Sequence, residues 1–276
     1  MGCGGREMKS HVSILLLLLA CANAEARELR VCADPNNLPF SNREGEGFEN
    51  RIAEIVAKEL GADLVYTWWA QRRGALRNTI RVGKCDLVPG IAAGIEGLST
   101  TRPYYRASYV FVARGDGRWA GLSSFDDARL RDATIGVQLI GDDGANTPPA
   151  HALARRGMYA NIRGFTVYGD YADAAPQSDI VAAVADGRVD VAAVWGPTAG
   201  YFARRFPSLQ LAPVTPWLDG PQWPMTFEIS FAVRREDREL RRELDRALER
   251  HATEIARILE DFGVPVESPD PATGSN

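Results

Sequence analysis

Residues able to do chemistry fall in a few short stretches. Asp34-Pro35-Asn36-Asn37-Leu38-Pro39-Phe40 interrupts a strand-like run ending at Cys32-Ala33, and Trp68-Trp69-Ala70-Gln71-Arg72-Arg73 follows a second such run. Gly141-Asp142-Asp143-Gly144-Ala145-Asn146 lies between a third run and a helix, and Trp195 ends a fourth. As a cation cage, Asp34 to Asn37 lacks the alternating oxygen ligands and distant glutamate of a calcium loop. Asp142-Asp143 is a carboxylate pair on a loop, and no His/Cys cluster suits zinc. No Gly-x-Ser-x-Gly is present, and the histidines are too few for a triad. The glycine-rich loop before the helix is neither a P-loop nor a dinucleotide fingerprint, and its two aspartates would oppose an anion. No catalytic residue, metal or resident cofactor is therefore assigned. What remains is recognition: aromatic side chains, amides and arginines at strand ends. Arg72 or Arg73 could grip a carboxylate or an acidic partner, or could form a solvated pair at a helix start. The tryptophans 68, 69, 195, 217 and 223 either cap sheets or face a cleft or interface.

The N-terminus bounds the compartment. Met8-Lys9-Ser10-His11, the apolar run Val12–Ala22 and Ala22-Asn23-Ala24 read as a cleaved signal peptide over residues 1–24. Leu18-Leu19-Ala20-Cys21 is the lipoprotein alternative, less favoured because an Ala-x-Ala site follows at once. The apolar run is too short to span a bilayer, which takes about 20 residues. The expected product is periplasmic and not membrane-spanning. Beyond the leader only Cys32 and Cys85 remain. In an oxidising compartment they are expected to pair, closing a loop worth roughly 3–4 kcal/mol. A nucleophilic Cys32 would need a nearby base, and only His151 and His251 are left. A net charge of −4 without a basic stripe along the chain argues against nucleic acid.

These loops need a scaffold. Phe48, Ile52, Ile55, Val56 and Leu60 recur at helical spacing, with Gly61 as stop. Strands are expected at 29–33, 64–66, 85–88, 104–113, 134–138, 165–168, 189–195 and 227–233. Helices are expected after Gly74, from Pro148, over 179–186 with Ser178 as cap, from Pro197, and over 236–262. Strands alternating with helices indicate an α/β protein with parallel sheets. Two such units with two crossings predict lobe 1 as 27–113 plus 227–266, lobe 2 as 114–226, and a disordered tail over 267–276. Ligands bind beyond the carboxyl ends of such strands. The loops at 34–42, 67–74, 89–97, 139–147 and 195–198 should then frame one cleft.

Several strings carry a resemblance. Leu-Arg-Val-Cys-Ala-Asp (29–34), Gly-Lys-Cys-Asp-Leu-Val (83–88), Arg-Pro-Tyr-Tyr (102–105), Gly-Val-Gln (136–138) and Asp-Gly-Arg-Val-Asp-Val (186–191) resemble the family 3 periplasmic solute-binding proteins. The longer strings Val31–Asn42, Gly-Phe-Glu-Asn (47–50) and Tyr-Thr-Trp-Trp-Ala-Gln-Arg-Arg-Gly (66–74) resemble its quinoprotein-dehydrogenase-associated branch, of the MxaJ/XoxJ type. The resemblance implies a two-lobed type II periplasmic binding protein fold with two crossovers at the hinge. It also implies an accessory that assists maturation or activation of a PQQ-dependent methanol or alcohol dehydrogenase, with or without its cytochrome c. Asp34, Asn36, Asn37, Phe40, Trp68, Trp69, Gln71, Arg72, Arg73, Asp142, Asn146 and Trp195 are the candidate cleft or partner-binding residues. Two departures separate the chain from amino-acid receptors. Ala92-Ala93-Gly94-Ile95-Glu96 stands where those carry a carboxylate-gripping arginine, and Trp195-Gly196-Pro197 where they carry an aspartate for the ammonium. A free amino acid would leave both its charges unpaired there. The rivals are a transport receptor for another small solute and a dehydratase-like enzyme.

Overall fold

A computed structural model describes residues 1–2, 27–140, 146–167 and 172–266. The expected signal peptide beyond Gly2, with Cys21, and also Asp142 and the tail 267–276, lie outside the described residues. In chain order the first part comprises β1 (Arg27–Ala33), β2 (Asn36–Asn37), β3 (Ser41–Asn42), α1 (Phe48–Glu59), β4 (Ala62–Trp68), α2 (Ala75–Asn78), β5 (Val88–Ala92), β6 (Ser99–Thr100) and β7 (Tyr105–Arg114). Then come β8 (Ile135–Leu139), α3 (Pro148–Arg155), β9 (Ile162–Thr166), α4 (Asp179–Ala185), β10 (Val191–Trp195), α5 (Gly196–Ala203), β11 (Leu209–Pro213), β12 (Leu218–Asp219) and β13 (Trp223–Pro224). The chain closes with β14 (Thr226–Val233), α6 (Arg238–Arg250) and α7 (Ala252–Asp261).

β1 and β4 pair in parallel, joined by α1. Phe48, Ile52, Ala53 and Val56 recur on one helical face and are buried. They pack with Leu29, Val31, Phe231 and Leu244 in one core. Gly47, just before α1, has no room for a side chain: a Cβ there would sit 2.0 Å from the Phe40 carbonyl oxygen. That approach seats the opening loop on the helix. β14 runs antiparallel between β5 and β7. In the second unit, β10 and β9 flank β8, all parallel. Its sheet separates two apolar clusters, one around Phe111 and Leu153, the other around Val181 and Phe202.

β7 belongs to both units. Tyr105–Ser108 pairs with β14, while Tyr109–Ala113 pairs with β10. We therefore set the crossing at Ser108–Tyr109, inside the stretch assigned to lobe 1 from sequence. Behind the junction α5 lies directly on the C-terminal turn. A Cβ on Gly200 would fall 1.9 Å from the Gly263 carbonyl oxygen. Arg204 donates to the Asp261 carbonyl, and Tyr201 stacks on Phe262. At the front rim, Asn36 Nδ2 donates to the Asp173 carbonyl at 2.7 Å.

Some elements differ from the sequence reading. The Asn36-Asn37 loop, read as neither strand nor helix, forms a two-residue ladder with Ser41-Asn42 because the chain reverses fully at 38–40. The strand expected at 85–88 begins only at Val88 and runs on through Pro89-Gly90 against β14. Cys85 to Leu87 instead lie beside β1, where Asp86 and Leu87 N–H groups donate to the Arg30 carbonyl. The strand expected at 165–168 starts earlier, at Ile162, since β8 offers partners from Ile135 onward; Tyr168 is outside the described residues. Ser178 precedes α4 but its hydroxyl makes no capping bond. The long C-terminal helix breaks at His251, whose ring reaches Glu59 and Glu254, each at 3.1 Å. The break lets α7 lay Ile255, Leu259 and Phe262 on the α1 core.

Candidate functional site

A cleft of about 380 Å³ opens where the two units meet, lined from both sides. β7 and β14 supply its floor: Tyr105, Tyr109, Phe227 and Ile229. Trp195, at the carboxyl end of β10, packs edge-on against Tyr109 at 5.2 Å and Phe227 at 5.9 Å. The Trp195 backbone N–H donates to Gln138 Oε1 at 2.8 Å, which orients that amide. Gln138 Nε2 faces Gln177 Oε1 at 3.4 Å, so a pair of buried amides forms one wall. Thr147 Oγ1 ties the Gln138 carbonyl at 2.6 Å and fixes the start of α3 beside it.

The opposite wall is the opening loop. Asp34 is 1% exposed, and its two oxygens accept from different loops: Oδ1 from Asn36 N at 2.9 Å, Oδ2 from Gln71 N at 2.7 Å. Ser41 Oγ donates to the Asp34 carbonyl at 2.8 Å. Asp34 thus holds the 34–42 and 69–74 loops together as a rim, and Asn37, Phe40 and Gln71 line the space behind it.

The same cleft buries Glu49, in the first turn of α1. It is 2% exposed, lines the cleft, and its Oε1 has no hydrogen-bond partner. Burial pushes its carboxyl up to about 8, so the neutral acid predominates at pH 7. Gly90, at φ +70°, makes room for it: a Cβ there would lie 2.2 Å from Glu49 Oε1. Nearby, Gly90 N donates to Tyr104 Oη at 3.2 Å. Burial raises the Tyr105 and Tyr109 phenols, keeping both neutral. Among the described lining residues are two carboxyls and no lysine, arginine or histidine.

The candidates from sequence thus divide. Asp34, Asn37, Phe40, Gln71 and Trp195 meet at the cleft. Trp69 and Arg72, with Gln71 again, line a separate pocket on the far side of the rim. Trp68 stacks on Tyr66 at 4.5 Å, with the Arg43 guanidinium 5.8 Å from its ring. Arg73 is exposed on the same segment. Asn36 reaches across the mouth as described, while Asn146 Oδ1 accepts from Ile140 N at 2.9 Å. Cys32 and Cys85 are joined in a disulfide. Glu49, Tyr105, Tyr109, Gln138, Gln177 and Phe227 were not among the candidates, although Glu49, Tyr105 and Gln138 lie in strings that carry the family resemblance. Gln138 was within reach, as the last residue of an expected strand; Glu49 gave no sign of its burial, because its neighbours read as an ordinary amphipathic turn.

The family of bacterial extracellular solute-binding proteins, family 3, matches residues 29–264. Protein MoxJ of Methylorubrum extorquens is 32% identical over 258 residues, covering 89% of this chain and 83% of that protein. The crystal structure of the periplasmic binding protein XoxJ from Methylobacterium extorquens AM1 superposes with a TM-score of 0.69 at 36% identity, covering 87% of this chain and 100% of that one. That of MxaJ from Methylophaga aminisulfidivorans gives 0.72 at 25% identity, with 87% and 100% covered.

Proposed function

Because the chain belongs to the family 3 extracellular solute-binding proteins, in the branch of MxaJ and XoxJ, we propose that it is a periplasmic accessory assisting maturation or activation of a PQQ-dependent methanol or alcohol dehydrogenase. The observation that carries this reading is the lining of the cleft. A receptor for free amino acids must neutralise a carboxylate, and no cationic side chain lines this cleft among the described residues. A carboxylate brought into this lining would lose its water and face the Asp34 carboxylate with no cation to compensate. The same argument speaks against a carrier of PQQ itself, which bears several carboxylates. A dehydratase acting on an acid would need an anion-binding arginine beside its proton donor; Glu49 is a buried acid with no such partner in the lining. We therefore read the protein as non-catalytic, acting through contact with the dehydrogenase.

A tagged pull-down from the periplasm of alcohol-grown cells tests this. Near-stoichiometric recovery of a quinoprotein dehydrogenase is the expected result. One observation favours a second reading, a transport receptor for a neutral or cationic small solute: Glu49 Oε1 is buried, unpartnered and set in the cleft wall. A bait that returns without protein partners, but with a small molecule visible by native mass spectrometry, would move the protein to that class.

A further inference from the structure

Residues 69–84 carry five basic side chains (Arg72, Arg73, Arg77, Arg81 and Lys84) and no acidic one, in a chain whose net charge is −4. In the fold this segment does not line the cleft floor. It leaves the end of β4, turns through α2, and ends at Cys85, which is bonded to Cys32 at the end of β1. Between the segment and the sheet lies a second pocket of about 500 Å³. Its floor is apolar, built from Leu76, Val88 and Ile91, with Cys32 at its base. Its rim holds Trp69, 38% exposed, and the guanidinium-bearing Arg72, Arg77 and Arg81, with no carboxylate among the lining residues. Arg77, in α2, and Arg81, in the short turn after it, are exposed and form no ion pair among the described residues; Arg81 donates only to the Glu96 carbonyl, at 3.0 Å. Lys84 Nζ lies 4.5 Å from the Trp69 ring.

We infer that this pocket is a docking site for an acidic segment of a protein partner, one that inserts an apolar side chain between its carboxylates. The inference rests on the accessory reading above and names the surface and chemistry of that contact. Charge complementarity selects the partner: clustered arginines around an apolar floor favour carboxylates at the rim and an aliphatic or aromatic anchor below. Concavity selects a protein over a membrane, since a flat bilayer surface cannot fill a pocket of this depth. The acidity of the rest of the chain opposes a long polyanion, which would extend well past five cations. Gln71 lines both this pocket and the cleft, and Asp34 holds its N–H. The docked segment would therefore press on the loop that forms the cleft's rim.

The test is biolayer interferometry between the full chain and the purified dehydrogenase of the same periplasm, at 0.05 M and about 0.5 M salt. The double variant Arg77→Glu/Arg81→Glu should weaken binding about tenfold or more, and wild-type affinity should fall as salt rises. A charge-reversing control outside both pockets, Arg131→Glu at an exposed position of the second unit, should bind within about twofold of wild type. Matching thermal melts for the variants show that folding is intact. Equal binding by Arg77→Glu/Arg81→Glu overturns the docking site and leaves the accessory reading standing. If wild type fails to bind the dehydrogenase, that reading falls, and a labelled peptide of glutamates flanking a leucine decides the pocket separately. Saturable peptide binding lost in the double variant upholds the pocket. No saturable binding overturns it, as does binding to phosphatidylglycerol vesicles in place of the peptide.

Discussion

Glu49 shows how one buried acid can make the fold sensitive to pH. Its carboxyl titrates near 8 in the folded chain because burial penalises the charged form, and at an ordinary carboxylate value when unfolded. Between those values the unfolded state releases a proton that the folded state keeps, so stability falls as pH rises from about 5 to about 8. Melting temperatures measured across that range should decline more steeply for wild type than for Glu49→Gln, so that the variant's advantage widens with pH. Parallel curves would mean that Glu49 is not the group responsible. Asp34 behaves differently, because its two oxygens satisfy backbone donors in two loops. Replacing it with alanine orphans both the Asn36 and Gln71 N–H groups and should cost about 2–3 kcal/mol in a urea titration. Trp68 and Trp69 teach a smaller lesson. Neighbours at a strand end point to opposite faces, so one stacks on Tyr66 while the other stands over Lys84. Alternation alone argued that both could not line one cleft.

At the scale of elements, the opening loop, β1 and the basic segment form one stapled unit. The Cys32–Cys85 bond closes a separation of 53 residues, which in the chain-entropy model stabilises the fold by about 4 kcal/mol. Cys32→Ser/Cys85→Ser should lose about 2–5 kcal/mol in denaturant titration and should loosen hydrogen-exchange protection first around α2 and β5. Uniform loss across the chain would contradict a local staple. Helices α1 and α4 were readable because each has a periodic apolar face and a clear stop, Gly61 and Gly187, and β4, β7, β10 and β14 because each is an apolar or alternating run. The start of β5 was not. Pro89 and Gly90 argue against a strand, and only the partner β14 and the need to admit Glu49 explain why one forms. The break at His251 was hidden for the same reason: the heptad-like leucines continue, and the turn is set by tertiary contacts with Glu59 and α1.

For the whole molecule, two α/β units were implicit in the alternation of strand and helix, but a strand β7 shared between them and the distance at which they sit were not. That is governed by the back contact, where α5 meets the C-terminal turn with no side chain between them. Gly200→Ala should force Gly263 away and cost about 3 kcal/mol or more, read as a lowered melting temperature. An unchanged melting temperature would show that the contact yields without cost. The cleft's lining and the second pocket follow from tertiary approach, which is why Arg72 and Arg73 could be named from sequence but the concavity beside them could not. The covalent link between Cys32 and Cys85 adds a matter of timing. A pocket whose base includes a bonded cysteine has that wall covalently fixed only where thiols are oxidised. A reduced chain made in a thiol-rich compartment would carry the same arginines without the fixed wall that presents them. The competence to meet a partner would then arrive with oxidation, making a single bond the step that separates a newly made chain from a working one.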